Sequence, residues 1–389
     1  MVVGKPSEKA LPETRSALER LVSDPTSFAA GTWGLRPHRD HSGQGFHDLL
    51  SVEAIDRLLE SARRPGFRVV SEGRTLSASE YTKTVRMGGT SLDDAASPAR
   101  IIDLFDAGAT LVMQGLERTH EPLRLFTRQL ASELSHTVQA NAYLSPGGGA
   151  KGLGRHADEH DVFVLQIDGA KQWDIDGLGA FTMTAGDVLY MPRGTQHVAH
   201  TDGAPSLHVT IGVATATYRD VLRRAVDSAS IDADQPVLDR RLPLGYARDE
   251  RGALELSDGI AAAISELVDH LQNVKPDEIV DLEQARVQRR LQPKRSLRPA
   301  FDAAVLTLGT PVRAVESRPM SLSTELDELV IDLDDRRIRM PLSALAAVQH
   351  LVEGCVTTPG DLPDLSNESR LVVVRRLIRE GAVVVHRED

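Results

Sequence analysis

Two short segments carry the residues whose types and spacing could hold a metal ion. His156 and Asp158 are separated by one residue in GRHADEHDVFVLQIDGAKQWDI, and His197 follows in GDVLYMPRGTQHVAH. Residues i and i+2 of a strand point to the same side, so His156 and Asp158 can reach one ion, and His197 must come from another strand. Two imidazoles and one carboxylate form the ligand set of an Fe(II) site that leaves positions open for a cosubstrate and O2, and Mn, Co or Ni could also occupy it. The pattern predicts a metal centre made by these three residues.

The segments around this ligand set have the pattern of a β-rich domain. Between residues 139 and 213, short alternating or β-branched runs are separated by Gly, Pro and Asp: NAYL, DVFVLQI, KQWDI, DVLYMP and SLHVTIGV. Many short strands with regularly spaced turn signals are typical of a sandwich or a barrel. We therefore expect the metal site inside such a domain, with helical segments before and after it.

A lysine in the same block indicates an anionic ligand. Asp168-Gly169 has the composition of a two-residue type I′ hairpin turn, which would place Lys171 opposite Gln166. Opposed residues share a face of the sheet, so Lys171 would lie on the side of Val164 and, if the strand runs unbroken, of the metal ligands. A lysine among apolar neighbours is costly to bury unless it meets an anion. A dicarboxylate such as 2-oxoglutarate would chelate the metal through its 2-oxo acid end and pair with Lys171 through its far carboxylate.

Other residues of the block allow more than one interpretation. Tyr143 and Asn141 share a face of the preceding strand and could line the same pocket, although Tyr143 also fits a core position. His208 fits either a buried core histidine or a group that supports the site, and Trp173 fits the core. The candidates for binding the cosubstrate are therefore Lys171, Tyr143 and Asn141.

Composition and charge restrict the class of protein. A chain of 389 residues with 41% hydrophobic and 26% charged residues is expected to form two or three globular domains. The net charge of −11 disfavours a nonspecific nucleic-acid binder and fits a basic protein or peptide as partner. The single cysteine, Cys355, excludes an internal disulfide and a cysteine-rich zinc site, which favours a reducing, cytoplasmic setting. The first residues lack the apolar core of a signal peptide, and no apolar run is long enough to span a membrane.

The last part of the chain has the pattern of a separate small unit. ELVIDL and RRIRM flank Asp334-Asp335 as in a hairpin, two helical segments follow, and AVVVH reads as a closing strand. Helices followed by a short strand are typical of a winged helix, which can bind DNA or dock a protein. Acidic residues dilute the arginines of the last helix, so the pattern favours protein docking.

The block that runs from NAYLSPGG through HADEHDVFVLQIDGAKQWDI and GDVLYMPRGTQH to HVTIGV resembles the JmjC-domain ribosomal oxygenase family, a cupin-fold branch of the Fe(II)/2-oxoglutarate-dependent oxygenases. The resemblance implies an α+β architecture with a double-stranded β-helix (cupin/JmjC) catalytic domain. The implied domains are residues 1–220 for the catalytic domain with an N-terminal helical extension, 221–295 for a helical dimerisation region and 296–389 for a winged-helix-like domain.

The resemblance also implies roles for individual residues and for the whole chain. It places His156, Asp158 and His197 at the metal ligands, Lys171 at the basic residue that binds the 2-oxoglutarate carboxylate, and Tyr143 and Asn141 on the strand that helps line that pocket. The implied activity is hydroxylation of a histidine or arginine of a ribosomal protein, with Fe(II), 2-oxoglutarate and O2, by a homodimer. Nucleic acid is not expected as a direct substrate.

Several alternatives stay open at this point. The same chemistry could act on a natural-product peptide or a small molecule, and hydroxylation of an N-methyl group would give demethylation instead. A non-catalytic regulator that binds DNA through the winged helix is a third possibility. The three metal-ligand candidates together with Lys171, and the negative net charge, argue against that regulator.

Overall fold

The structure is a computed structural model, and it describes residues 16–149, 153–229, 241–244, 246–248, 250–273, 275–291, 297–315, 320–333, 336–353 and 355–387. The chain divides into two compact units, Met1–Thr217 and Tyr218–Asp389. The finer division of the second part at residue 295 stays a prediction. Among the helices in these ranges, none combines the length and the apolar character needed to cross a membrane.

The first unit alternates short helices with strands before it becomes almost entirely β. Its strands are β1 His38–His41, β2 Phe67–Ser71, β3 Arg74–Thr75, β4 Thr82–Met87, β5 Thr90–Ala96, β6 Thr110–Met113, β7 Thr137–Ser145, β8 Asp161–Ile175, β9 Gly179–Thr184, β10 Asp187–Met191, β11 His197–His200 and β12 Ser206–Ala214. Its helices are a 3₁₀ turn at Leu18–Arg20 and α1 Pro25–Gly31, α2 Val52–Ser61, α3 Ala78–Tyr81, α4 Pro98–Asp106, α5 Leu116–Thr119 and α6 Glu121–Leu134.

Local sequence explains where the main helices of this unit begin and which face they bury. The side chain of Ser51 accepts a hydrogen bond from the backbone N–H of Ala54, which caps α2. A proline lies in the first turn of α6, where it costs no helical hydrogen bond. Leu123, Phe126 and Leu130 then recur at helical spacing and are buried, so α6 packs one apolar face against the strands.

The strands of the first unit form a cupin-like, jelly-roll-like sheet, which confirms the mixed α+β class. The long path runs β1-β10-β8-β12-β7-β6-β2-β3, and β9 and β11 pair with β8 outside that path. Residues 161–169 of β8 pair with β12, whereas residues 170–175 pair with β9. Because one strand belongs to two pairing systems, β8 turns from one wall of the domain into the other.

A cluster of apolar side chains lies where these two walls meet. It contains residues from both halves of β8 together with residues of β9 and β10: Val162, Val164, Trp173, Ile175, Met183, Leu189 and Met191. All of them are almost inaccessible to solvent. Their burial gives the domain an apolar interior, in which polar groups interact more strongly than in water.

The second unit begins with helices and ends with a small α/β core. Its helices are α7 Tyr218–Ala229, α8 Glu250–Asn273, α9 Pro276–Leu291, α10 Leu297–Val305, α11 Leu345–Val352 and α12 Asn367–Glu380, and its strands are β13 Val312–Ala314, β14 Ser321–Glu325, β15 Glu328–Asp332, β16 Arg337–Pro341 and β17 Val383–Val385. Strands β14, β15 and β16 form one antiparallel sheet, and β13 pairs with β17. The predicted turn at Asp334-Asp335 lies outside the described residues, but the strands on either side of it pair in antiparallel register. The winged-helix-like assignment stays a prediction.

Candidate metal centre and cavity

The structure brings together the three residues that the sequence predicts as metal ligands. One ligand atom from each of His156, Asp158 and His197 lies within 4.8 Å of the others. The Nε2 atom of His197 is 3.8 Å from Oδ2 of Asp158. In the described part of the chain this is the one cluster of three histidine, cysteine or acidic groups with that geometry.

Main-chain pairing positions the two histidines. His156 and His197 form an antiparallel bridge in which each backbone N–H donates to the carbonyl oxygen of the other, at 3.0 and 2.9 Å. Each ring then hydrogen-bonds a backbone carbonyl two residues earlier in the chain: Nδ1 of His156 to Gly154 O at 2.8 Å, and Nδ1 of His197 to Thr195 O at 3.0 Å. A carbonyl oxygen only accepts, so Nδ1 carries the proton in both rings. The lone pair of each Nε2 is therefore left for a metal ion.

A buried carboxylate holds the loops that carry the cluster. Asp161 accepts a hydrogen bond from the hydroxyl of Tyr190 at 2.5 Å and another from the backbone N–H of Arg193 at 3.0 Å. The backbone N–H of Gly194 donates to the carbonyl oxygen of Asp158 at 2.9 Å. These bonds tie the segment after β10, which leads to His197, to the segment before β8. Burial also lowers the pKa of His197, which keeps its imidazole neutral and able to bind a metal.

The cluster opens into a cavity of about 190 Å³. The cavity is lined by residues of both walls of the domain and of its N-terminal strands: Arg68, Val70, Thr110, Val112, Tyr143, Leu153, His156, Asp158, Val162, Val164, Lys171, Trp173, Met191, His197, Ala199, His208 and Thr210. Five of the six site residues proposed from the sequence thus line this one cavity, and the sixth, Asn141, does not.

Lys171 is a buried cation in the wall of this cavity. Its side chain is 4% exposed, and its Nζ donates to Oγ of Ser145 at 3.0 Å. Oγ of Ser145 also accepts a hydrogen bond from the hydroxyl of Thr110 at 3.0 Å. Burial lowers the pKa of Lys171 to about 8, because removing the ammonium from water disfavours its charged form. An anion entering the cavity would restore the stability of that charge.

The predicted hairpin at Asp168-Gly169 is wrong. The chain continues as one strand, β8, from Asp161 to Ile175, and Ile167 is an extra residue opposite the step from Leu207 to His208 of β12. Such a bulge shifts the alternation of side chains by one position. Val162 and Val164 line the cavity before the bulge, and Lys171 and Trp173 line it after the bulge. Lys171 therefore faces the cavity through a bulge and not through a turn.

Gly169 allows β8 to pass between the two walls. Its φ is +65°, a left-handed conformation that glycine adopts without strain. A Cβ at this position would lie 1.9 Å from the carbonyl oxygen of Pro205. The Asp-Gly pair that predicts a turn in the sequence thus serves close contact between β8 and the start of β12.

Tyr143 and Asn141, which share a strand face, have different surroundings. Tyr143 lines the cavity, and its ring stacks on that of His208 with centroids 4.8 Å apart and an interplanar angle of 1°. Burial raises the pKa of Tyr143, and the charge of Arg68 opposes that rise. Oδ1 of Asn141 accepts a hydrogen bond from the backbone N–H of Gly115 at 3.0 Å. Asn141 thus anchors the segment before α5.

Two further polar residues of the cavity are His208, for which the sequence allows two interpretations, and Arg68, which the sequence does not single out. His208 is fully buried, and its Nδ1 has no hydrogen-bond partner in the described structure. Burial and the nearby charge of Lys171 hold the pKa of His208 well below its ordinary value, so the ring is neutral. Arg68 comes from β2, far from the JmjC-like block, and no local pattern marks it.

The chain is similar in sequence to a known domain family and to several characterised proteins. Residues 117–181 and 178–221 match the model of the JmjC domain. Ribosomal oxygenase 2 of Bos taurus is 28% identical over 217 residues, which are 49% of this chain and 46% of that protein. The bifunctional lysine-specific demethylase and histidyl-hydroxylase NO66 of Dictyostelium discoideum is 25% identical over 304 residues, 64% of this chain and 59% of that protein.

One solved structure aligns with most of the chain at low similarity. The Escherichia coli ribosomal oxygenase YcfD aligns with 94% of this chain and 99% of its own, at 17% identity and a TM-score of 0.48. The chain spans about half the length of the curated relatives it matches. The JmjC match covers both segments that supply the metal-ligand candidates. The chain therefore contains a match to the JmjC domain at the segments that supply the metal-ligand candidates, and over part of its length it is similar to ribosomal oxygenase 2 and to NO66.

Proposed function

We propose that the chain is an Fe(II)- and 2-oxoglutarate-dependent oxygenase that hydroxylates a histidine or arginine side chain of a ribosomal protein. The observation that carries the proposal is the meeting of two kinds of group in one cavity. His156, Asp158 and His197 offer three converging ligand atoms, and Lys171 offers a buried cation in the same wall. A 2-oxo dicarboxylate needs both, because its 2-oxo acid end binds a metal and its other end binds a cation.

The donor set fits Fe(II). Two imidazole nitrogens and one carboxylate oxygen, with no thiolate, suit this ion, and Mn, Co and Ni bind similar sets. His156 and His197 would bind through Nε2, since a carbonyl oxygen already occupies each Nδ1, and Asp158 would supply the third ligand. When bound, Fe(II) would supply the O2-dependent oxidation that converts a C–H bond into C–OH.

The residues of the chain would hold the cosubstrate and exclude water. Lys171 would pair with the far carboxylate, since its ammonium now meets only the neutral hydroxyl of Ser145 among the described groups. Tyr143 lies two residues before Ser145 on the same strand face and would donate its hydroxyl to the same ligand. The role of Asn141 as a pocket residue stays a prediction. In the structure its Oδ1 accepts a hydrogen bond from the backbone N–H of Gly115.

The relatives and the charge of the chain support a ribosomal protein as substrate. Two of the relatives are named as a ribosomal oxygenase and a histidyl-hydroxylase. The net charge of −11 would attract a basic partner, and ribosomal proteins are basic because they bind RNA. Histidine and arginine both remain candidates for the hydroxylated residue.

Mass profiling of ribosomal proteins tests this proposal. Ribosomes would be isolated from a strain that lacks the gene, and from the same strain complemented with the wild type or with His156→Ala. We expect one ribosomal protein to be heavier by one oxygen atom with the wild type only. A loss of mass equal to one methylene group would indicate demethylation. If no ribosomal protein changed mass, a ribosomal substrate would be excluded.

We also propose that the second unit forms a homodimer. Ile260, Ile264 and Val268 recur at every fourth position of α8, and each is about half exposed. Such a stripe on a long helix is costly to leave in water and fits a second copy of the same helix. Light scattering after size exclusion should give twice the chain mass, and Ile264→Glu should give a folded monomer. A monomeric wild type would refute the proposal.

A further inference from the structure

One row of side chains crosses four neighbouring strands at the wall of the cavity. Arg68 of β2 pairs with Val112 of β6, Val112 pairs with Tyr143 of β7, and Tyr143 pairs with His208 of β12. Directly paired residues share a face of a sheet, and all four line the cavity. Strand β2 thus brings a guanidinium into the cavity from outside the strands that carry the metal-ligand candidates.

The described partners of the Arg68 guanidinium are two neutral hydroxyls, those of Thr75 and Tyr143. Its Nη1 donates to the neutral hydroxyl of Thr75 at 3.3 Å, a long hydrogen bond. Its Nε is buried and has no hydrogen-bond partner in the described structure. A buried donor without a partner costs free energy, and a charged one costs more. The guanidinium therefore retains the capacity to bind an anion.

Arg68 and Lys171 reach neighbouring positions of the same strand face. Lys171 donates to Ser145, and Arg68 lies beside Tyr143, two residues earlier on β7. Among the described residues that line the cavity, these two are the lysine and arginine side chains, and Asp158 is the carboxylate. A divalent ion on Asp158 and the two histidines would raise the positive charge further. The cavity is thus built for a ligand with more than one negative charge.

We propose that Arg68 is a second cationic anchor of the cosubstrate pocket, which acts with Lys171 on the far carboxylate and selects 2-oxoglutarate over 2-oxo acids that lack that group. The inference rests on the proposed function. Tyr143 interacts with Arg68 and lies two residues before Ser145, the partner of Lys171, and it would share the carboxylate with both cations.

A comparison of two ligands tests the role of Arg68. The full-length protein loaded with Mn(II) would be titrated with 2-oxoglutarate and with 2-oxopentanoate, which has the same chain length without the far carboxylate. Binding would be followed by calorimetry and by the fluorescence of Trp173, which lines the cavity. Arg68→Gln should weaken 2-oxoglutarate binding roughly five- to tenfold and change 2-oxopentanoate binding less than about twofold. Arg68→Lys should retain part of the preference for 2-oxoglutarate over 2-oxopentanoate.

Arg74 of β3 offers a matched control, because it is exposed and does not line the cavity. Arg74→Gln should bind both ligands as the wild type does. If Arg68→Gln bound both ligands normally, or lost affinity for both to the same extent, Arg68 would not be an anchor of the far carboxylate. A wild type that bound neither ligand in the presence of metal would instead refute the proposed function itself.

Discussion

The backbones of His156 and His197 are hydrogen-bonded to each other in both directions, and their rings lie 4.4 Å apart between centroids. The two metal-ligand candidates are therefore held together by backbone hydrogen bonds, which do not involve their side chains. The third candidate, Asp158, is fixed through its carbonyl oxygen by Gly194. The cluster is pre-organised, and replacing one of its side chains should change metal binding without changing the fold.

His156→Ala should weaken the binding of Mn(II) or Co(II) by about a hundredfold or more. Removing only a residue that hydrogen-bonds a metal ligand already lowers metal affinity about ten- to a hundredfold. The free energy of unfolding of the metal-free variant should stay within about 1 kcal/mol of the wild type. Calorimetric titration and urea unfolding measure the two quantities. His200→Ala, on the exposed end of β11, is the matched control and should bind metal normally. Normal metal binding by His156→Ala would remove His156 from the site.

Affinity for 2-oxoglutarate should depend on pH through Lys171. The pKa of Lys171 is about 8 in the ligand-free protein, and a carboxylate binds only the ammonium form. Affinity should therefore be constant below pH 8 and fall as pH rises above it, by up to about tenfold per pH unit. Lys171→Met should bind the ligand weakly at every pH and lose this dependence. A titration across pH 8 in which both proteins behaved alike would exclude Lys171 from the pocket.

The lowered pKa of Lys171 also affects the free energy of unfolding. Affinity for 2-oxoglutarate should fall as pH rises above 8, whereas the stability of the ligand-free protein should rise. The pKa of Lys171 is below its ordinary value of 10.5, so the unfolded chain binds more protons between pH 8 and 10.5. Stability contributed by this group should rise with pH across that window and be unaffected below it. The difference in unfolding free energy between the wild type and Lys171→Met, measured with urea in the absence of ligand, should shrink as pH rises. A difference that does not depend on pH would contradict the burial of a charged lysine.

Gly169→Ala should destabilise the first unit. The new Cβ would lie 1.9 Å from the carbonyl oxygen of Pro205, and alanine would have to adopt a φ of +65°. Strain and displacement together should cost about 2–4 kcal/mol. Gly179→Ala has a positive φ but no atom within 4 Å, and Gly203→Ala has neither problem. Urea unfolding should rank the losses Gly169, Gly179, Gly203 in decreasing order, and an equal loss at all three would show that the contact with Pro205 is not tight.

Tyr190→Phe should remove the support of the loop that leads to His197. The hydroxyl of Tyr190 donates to the buried Asp161 and accepts from the backbone N–H of Gly34 at 2.8 Å, so both groups would lose this partner. The expected loss of unfolding free energy is about 1–3 kcal/mol. Tyr218→Phe removes a hydroxyl from a side chain that is 90% exposed and should have almost no effect. Equal stability of the two variants would mean that Asp161 is satisfied without Tyr190.

The sequence identifies the metal-ligand candidates because their pattern is local. His156 and Asp158 are two residues apart, and the strand and turn signals around His197 place it on a second strand. The position of Lys171 follows from different physics. Its face depends on the bulge at Ile167, and the bulge exists only because β8 pairs with β12, whose residues lie about forty positions further along the chain. The sequence predicts the correct side for Lys171 from an incorrect turn.

Arg68 illustrates what a local pattern cannot predict. It reaches the cavity because β2 pairs with β6 and β6 pairs with β7, which joins segments that are far apart in the sequence. No spacing rule connects Arg68 with Tyr143, and an arginine on a short strand is usually exposed. Such residues become visible only when the strand order is known.

Whether 2-oxoglutarate binding depends on the metal site is the most direct test of a joint site for metal and cosubstrate. 2-Oxoglutarate would be titrated into the metal-free and the Mn(II)-loaded wild type, and into His156→Ala, Asp158→Ala and His197→Ala under the same conditions. The Mn(II)-loaded wild type should bind 2-oxoglutarate tightly, and affinity should be lower by at least about tenfold without metal or in any of the three variants. Equal binding with and without metal, unchanged binding in the variants, or no binding by the loaded wild type would contradict a joint site.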